Sequence, residues 1–538
     1  MAPHWTEAAF PGVLRLLKGE ETIYFQIPCS GSCYTSLFRV NCPAVDALER
    51  YPGNHYYPRI ASSLSRQFGD GQCLAEALGG SGWGLKPEDV ENYVDWLAES
   101  GINCFAFHFW QYERNSASIR DWPPNIPWGM TWKQVMQPLL QHLKERWDNR
   151  FLQQQNHCLL AAPVRGCMAE FIPEHAQVLN EHNGDGTPND KSGKISRQFS
   201  AFAESLYASG MEYDVTEERL MEQKAVLENG KLRLGNILYD CVIAGDGCLG
   251  ESDLPELLKE KGLWHEAKEF HWRFSGITSG MNQLPLEWSK RTAEIRYSSR
   301  NCSFLKDCRL RILDRVSCVK ANGIILQGQR TEDGIFFPLN EEVVQSGKAG
   351  CLLISFEPEE GGEQRPFAFL EGSFLVKNSG PYEEIDHRQL RSTGFFYLEA
   401  PDHTDDVNCR DLITAGFPFC RSGACLSARR YIDPQGRLRI PEVNADCAFV
   451  KIQGKAAGAV WGPEWVLDTG LPEGIYDVEL ELIPSTFNTY GPHHHRDGDR
   501  PLISPDQYSG IKNFADHPEA PSCTLISEWY LVKWGISE

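Results

Sequence analysis

The spacing of apolar residues changes character along the chain. Up to about residue 150, short apolar runs alternate with stretches of helical period. Thr22 to Ile27 is a β-branched and aromatic run stopped by Pro28, which reads as a strand. Pro43 to Leu48 is a weaker strand, Ser62 to Phe68 starts a helix, and Gln72 to Glu76 is a third strand ended by Gly79-Gly80-Ser81-Gly82. Lys86-Pro87-Glu88-Asp89 then opens a helix. Proline fits a first turn, where its missing N–H is not needed, and acids suit the positive end of the helix dipole. Val90, Val94 and Leu97 keep one face of that helix apolar, and Gly101 stops it. Ile102 to Phe109 is a largely apolar strand. Apolar strands separated by helices predict a parallel sheet. A loop rich in Trp and Pro runs from Tyr112 to Trp132, long enough to be either functional or mobile. The helix Trp132 to Trp147 closes this unit.

A second α/β section covers 156 to about 290. Cys158 to Pro163 and Tyr239 to Gly245 are strands, and residues 197 to 210 carry a helix ended by Gly210. Val226 to Leu234 is a hairpin around Asn229-Gly230, and 183–196 is a solvated loop. Beyond 290 the helical period disappears. Short strands at Arg309, Gly323, Gly334, Cys351 and Phe367 follow one another between turns, and a last set lies at Ala448, Tyr476 and Trp529. That is the spacing of β-sandwiches. The expected architecture is multidomain α/β plus all-β, divided at 1–155, 156–290, 291–400 and 401–538. The length agrees, since single hydrophobic cores stop growing at roughly 250–300 residues.

Composition narrows the partners. A net charge of −21 repels phosphate backbones, which argues against nucleic acid. No run of about 20 apolar residues is available to span a membrane. The start, Met1-Ala-Pro-His, has neither the basic nor the apolar region of a signal peptide. The 18 cysteines are scattered through apolar runs without a CxxC pair, which fits reduced thiols and a cytoplasmic location rather than a zinc ribbon. The 15 Trp, 18 Tyr and 27 Phe pack cores, and such rings also cover the flat C–H faces of sugars.

Three stretches can carry chemistry. Glu76 ends a strand just before a glycine-rich turn containing Trp83, the place where a parallel barrel sets its catalytic groups. Glycoside hydrolysis needs two carboxyls flanking the bond, and Glu76 can supply one; pairing with a base or capping a helix is the structural alternative. His108 lies at the end of the next strand, able to bond a sugar hydroxyl or to serve as a satisfied core residue. His493-His494-His495, beside Asp497 and Asp499, suggests a metal; but adjacent residues rarely point at one ion, so a polar turn accounts for it better. No metal or cofactor is expected.

On these residues the chain resembles bacterial α-L-rhamnosidase-like glycoside hydrolases of family 106 and their relatives. The matching pieces are Pro58 to Ser63, Ala75-Glu76 with Gly82-Trp83, Glu88-Asp89 with Asp95-Trp96, and Gly101-Ile102-Asn103 leading to His108. Tyr213 to Thr216 and Tyr239 to Ile243 resemble the α/β domain that follows the barrel. Gly416 to Gly423, Val450 to Gly458, Trp461-Gly462-Pro463 and Asn488 to His495 resemble a sugar-binding jelly roll shared with family 2 enzymes. The resemblance implies a partial (β/α) TIM-type barrel, a flavodoxin-like α/β domain and a galactose-binding-like β-sandwich. It implies Glu76 as a catalytic carboxylate, and His108, Trp83, Tyr112, Gln26, Asp46 and Glu49 as residues lining a carbohydrate pocket. In such enzymes the partner acid sits on an earlier strand, whereas only about four strands precede residue 110 here. Glu49 and Glu113 are the substitutes at hand. A half barrel leaves open sheet edges, which favours self-association. The expected function is hydrolysis of glycosides, α-L-rhamnosides among them. The alternative is a non-catalytic carbohydrate-binding protein or a fragment of a longer glycosidase.

Overall fold

The computed structural model describes residues 32–40, 42–47, 50–108, 119–120, 122–124, 130–147, 157–175, 187–298, 302–347, 350–401, 407–441, 443–499, 503, 508 and 527–536. The fold is mixed α/β with many sheets, and it divides into two compact units, Met1–Phe270 and His271–Glu538.

The first unit holds two parallel sheets. One has three strands, β1 (Ala44–Ala47), β2 (Leu74–Ala77) and β3 (Cys104–Phe107), in the order β1-β2-β3. Helix α1 (Cys33–Leu37) precedes β1, α2 (Tyr56–Phe68) connects β1 to β2, and α3 (Pro87–Glu99) connects β2 to β3. A further helix, α4 (Met136–Trp147), follows. The start of α3 is fixed as its sequence predicts: Pro87 lies in the first turn, and Asp89 accepts the Lys86 N–H at 3.1 Å. The strand expected at Thr22 lies outside the described residues.

The second parallel sheet is built from β4 (Cys158–Ala162), β5 (Tyr213–Glu217), β9 (Cys241–Ala244) and β10 (Trp264–Glu266), ordered β10-β9-β4-β5. Helices α5 (Val164–Ala169), α6 (Lys191–Ala208), α7 (Glu218–Lys224) and α8 (Leu254–Glu260) join its strands. A small antiparallel sheet, β6 (Ala225–Glu228), β7 (Lys231–Leu234) and β8 (Ile237–Tyr239), is inserted before β9. Its first turn is Asn229-Gly230, both at positive φ as a tight two-residue hairpin requires. The strand expected from Tyr239 to Gly245 therefore belongs to two sheets, with Tyr239 closing the antiparallel one.

Three helix starts differ from expectation: α4 begins at Met136, after a 3-10 turn over Lys133–Val135, rather than at Trp132, and the other two differ for a physical reason. Helix α2 begins at Tyr56 rather than at Ser62, and Phe68 is its end. Pattern reading fails there because polar Arg59, Ser62, Ser63, Ser65 and Gln67 are all buried. They are satisfied by specific partners. Arg59, 1% exposed, donates to Glu212 Oε2 at 3.0 Å and to the carbonyls of Tyr213 and Glu99, between the rings of Tyr207 and Tyr213. Ser63 Oγ accepts the Val215 N–H at 3.0 Å, and Gln67 donates to Tyr239 Oη at 2.9 Å. Arg66 pairs with the buried Asp214, which also accepts from Tyr239 Oη at 2.8 Å. Helix α6 begins at Lys191, inside the stretch read as a solvated loop. Asp190 caps it, accepting the Gly193 N–H at 2.9 Å, and Ser192, Gly193 and Ser196 are buried. A run of polar residues looks like a loop until its cap is seen.

The second unit is β-rich. The longest pair, Ala424–Ile432 with Gly474–Ile483, is antiparallel, extended by Cys447–Ile452 and Lys455–Val460 on one side and by Arg437–Arg439 and Val466–Asp468 on the other. Cys447–Ile452 alternates buried and exposed positions, as a strand with one covered face does. Arg309–Ile312 lies between Ala368–Gly372 and Gly334–Pro338 in a five-stranded sheet, and Cys351–Pro358 anchors a four-stranded one. Leu310, Ile354, Leu426 and Leu480 belong to one apolar core.

Two predictions follow from the packing of α2. Removing Asp214 leaves Arg66 without its buried counter-charge, so Asp214→Ala lowers stability by about 3–5 kcal/mol, read as a shift in the urea midpoint. The second concerns His55, just ahead of α2, which stacks on Tyr207 and bonds Glu204 at 2.8 Å. Burial pushes its imidazole down, but hydrogen bonds that it donates to Glu204 and Glu99 outweigh this and hold its pKa above 6.5. The His55 bond holds Glu99 below 4.5; in Glu204 the same bond outweighs burial and does likewise. The His55 contribution is complete below pH 6.5 and is lost as pH rises through its folded pKa. The Glu99 and Glu204 contributions are present above pH 4.5 and are lost as pH falls. The thermal midpoint of the wild type relative to His55→Gln is therefore greatest between about pH 4.5 and 6.5.

Candidate active site

Register brings two carboxylates together. Asp46 on β1 is the Cα partner of Glu76 on β2, and Glu76 is in turn the partner of Ala106 on β3. Register partners on parallel strands face the same side, with the strands roughly 4.8 Å apart. Both acids are the third residue of a four-residue strand, close to its carboxyl end. Small Ala106, exposed, leaves the third place in the row open.

The two acids sit in unequal surroundings. Asp46 is 7% exposed, and its Oδ1 has no hydrogen-bond partner among the described residues. Burial, then the charge of Glu76, pushes the Asp46 carboxyl up to about 7. Glu76 is half-buried. The Asp46 backbone is fixed from α2, where Tyr57 Oη donates to its carbonyl at 2.8 Å.

The turn after β2 forms the rim. Leu78 leaves the strand at φ 68°, a left-handed conformation that costs a branched side chain of this kind about 1–2 kcal/mol. Such strain persists only where the surroundings enforce it, as at many functional sites. Arg50 reaches across and donates from Nε to the Ser81 carbonyl at 3.0 Å. Gly82, at φ 80°, lets its guanidinium approach, for a Cβ there would lie 3.2 Å from Arg50 Nη2. Trp83 is 41% exposed and donates from Nε1 to the Ile119 carbonyl at 3.2 Å. His108 continues β3 by donating its N–H to the Ala77 carbonyl at 2.9 Å.

Asp46, Glu76, Trp83 and His108 therefore lie on or just after three adjacent strands. Gln26, Glu49, Tyr112 and Glu113 lie outside the described residues. Sequence reasoning missed the pairing of Asp46 with Glu76 and the clamp made by Arg50. A signal for the pair was present: each acid stands between small or apolar neighbours near the end of its own strand.

Two other places differ in chemistry. A cavity of about 490 Å³ lies by the ends of β9 and β10, lined by Glu218, Asp246, Glu256, Trp264 and Glu266 among others. Glu218 already accepts the N–H groups of Val164, Arg165 and Leu249, while burial pushes its carboxyl up to about 7. In the second unit, His493 is buried among Phe419, Phe487 and Trp529. Burial, then the charge of His494, pushes its imidazole down to about 3, which makes it a neutral core residue. His494 bonds the Glu528 carbonyl at 2.9 Å and pairs with Glu287. Among the described residues no group of three His, Cys, Asp or Glu side chains is placed to hold a metal.

No family model matches the chain, and no curated protein matches it. Thirteen chains of solved structures do match. One is a rhamnosidase from Novosphingobium sp. PP1Y, at TM-score 0.29 and 11% identity, over 94% of this chain and 52% of that one. The chain thus spans about half the length of that protein. Among the described residues, no helix is long and apolar enough to cross a membrane.

The rim is open to test. Gly82→Ala places a Cβ against Arg50 in a conformation that favours glycine, so stability falls by roughly 1–2 kcal/mol. Thermal melts of the variant check this, and Gly71→Ala, also at positive φ but with nothing within 4 Å of its Cβ, separates backbone strain from the lost Arg50 approach.

Proposed function

We propose that this chain is a glycoside hydrolase, or the later part of one, with Glu76 as its base or nucleophile. The observation that carries the reading is the in-register pair of Asp46 and Glu76 at the carboxyl ends of parallel strands, with Trp83 and His108 on the adjoining turns. A carboxylate whose neighbour is an acid in a different environment is a setting in which enzymes tune a base or nucleophile, and Asp46 is the neighbour here. The aromatic ring of Trp83 suits a sugar face, and His108 suits a hydroxyl.

The finer assignments belong to the same proposal. The three-stranded sheet is the later part of a (β/α) barrel, the four-stranded sheet is the core of a flavodoxin-like domain, and the second unit carries the galactose-binding-like jelly roll. The divisions near 155, 290 and 400 go with it. The substrate is a carbohydrate, α-L-rhamnosides first among the candidates, with Tyr112, Gln26 and Glu49 lining the same pocket. Self-association through an open sheet edge, a cytoplasmic location and a bacterial origin complete the reading.

The test is a panel of chromogenic aryl glycosides, α-L-rhamnoside and β-galactoside included, run on the wild type and on Glu76→Gln. Turnover that falls about 100-fold or more in the variant supports the proposal. Equal turnover in both proteins removes Glu76 from the reaction. Binding without turnover by the folded wild type points instead to a non-catalytic sugar-binding protein.

A further inference from the structure

The pair Asp46 and Glu76 poses an electrostatic problem. Two carboxylates on neighbouring strands repel, and Asp46 is almost wholly removed from water. No ion pair to either acid is found among the described residues. Strand β2 brings Glu76, and helix α2 brings Tyr57, whose phenol is committed to the Asp46 backbone carbonyl. Arg50 turns its guanidinium to Ser81 and past Gly82 and Gly84. Strand β3 puts Ala106 in the row, with His108 two residues beyond. Burial opposes a charge on Asp46 first and the neighbouring Glu76 opposes it second, so the charge settles on the better-solvated member. Glu76 is the more exposed of the two.

We propose that this pair carries one proton, held on Asp46, so that Asp46 is the positioning residue that keeps Glu76 as the charged carboxylate of the site. Its catalytic meaning rests on the hydrolase reading; the placement of the proton does not. A proton on Asp46 removes the repulsion that would otherwise turn the Glu76 side chain aside. As pH rises, the proton leaves Asp46 for solvent and a second negative charge appears beside Glu76. The upward push on the Asp46 carboxyl, to about 7, agrees with this placement.

The experiment uses the full chain labelled with ¹³C at the aspartate side-chain carboxyl, followed by infrared difference spectroscopy across pH 4 to 9. The label separates Asp46 from Glu218, whose carboxyl is also pushed up to about 7. The expected result is an aspartate C=O band that persists at pH 6 and disappears near pH 7; burial also raises the Asp446 carboxyl, so the Asp46 band is the one that responds to change at positions 46 and 76. That band is absent in Asp46→Asn, and in Glu76→Gln it disappears at lower pH because the neighbouring charge is gone. The Glu76→Gln measurement leaves Asp46 itself intact, so the test survives if Asp46→Asn fails to fold. An aspartate signal already fully ionised at pH 6, or a midpoint unmoved by Glu76→Gln, overturns the proposal. Where a substrate is turned over, kcat/KM of the wild type falls as pH rises through about 7 while Asp46→Asn stays level there, which a merely structural aspartate would not produce. A titrating band in a protein that hydrolyses nothing sinks the hydrolase reading and leaves the shared proton standing. Hydrolysis without the band does the reverse.

Discussion

The first unit depends on a helix that carries charge into a buried position. Helix α2 meets strand β5 and its neighbours through Arg59, Ser63, Arg66 and Gln67, whose partners include Glu212, Tyr213, Asp214, Val215 and Tyr239. Burying two guanidinium groups is costly unless each finds a counter-charge in good geometry. Here the Arg66 partner is 1% exposed and shared with a tyrosine, so the seam admits one register of helix against strand. From the same helix, Tyr57 reaches the backbone of Asp46. The polar seam that fixes α2 on one sheet thus sets the position of an acid on the other.

That chain of contacts explains how a short sheet can hold two acids side by side. A three-stranded sheet whose β3 residues are half-buried or exposed has little rigidity of its own. The strain at Leu78, the Arg50 clamp on Ser81 and the close packing at Gly82 stiffen the turn that leaves β2. Asp46 lies deep, its backbone held from α2 by Tyr57, and Glu76 lies shallower in a row that ends at a small, open Ala106. The difference in solvation between the two acids comes from that asymmetry rather than from any special hydrogen bond.

The sequence displays whatever depends on local pattern. Helix α3 is legible from Pro87, its first-turn acids and the spacing of Val90, Val94 and Leu97. The hairpin at Asn229-Gly230 is legible because few residues tolerate positive φ twice in succession. The glycine-rich turn after Glu76 marks a strand end. What depends on distant partners is hidden. The first turns of α2 carry buried polar residues whose partners lie about 150 positions later, so the apolar stripe of Tyr57, Ile60, Leu64 and Phe68 does not by itself show that the polar face is buried as well. The start of α6 hides in a polar run, because Asp190 looks like a loop residue until it is seen to cap Gly193. Asp46 is readable as a pocket residue, but its pairing with Glu76 needs a register between strands 30 residues apart.

The central claim is that a sugar reacts over the Asp46–Glu76 row. It is tested most directly by a crystal structure of the Glu76→Gln protein soaked with an oligosaccharide that the wild type binds. The account predicts a glycosidic oxygen or anomeric carbon within hydrogen-bonding or contact distance of the residue at position 76, with a sugar face against Trp83. Sugar bound only elsewhere on the chain, with the row empty under saturating ligand, would contradict it.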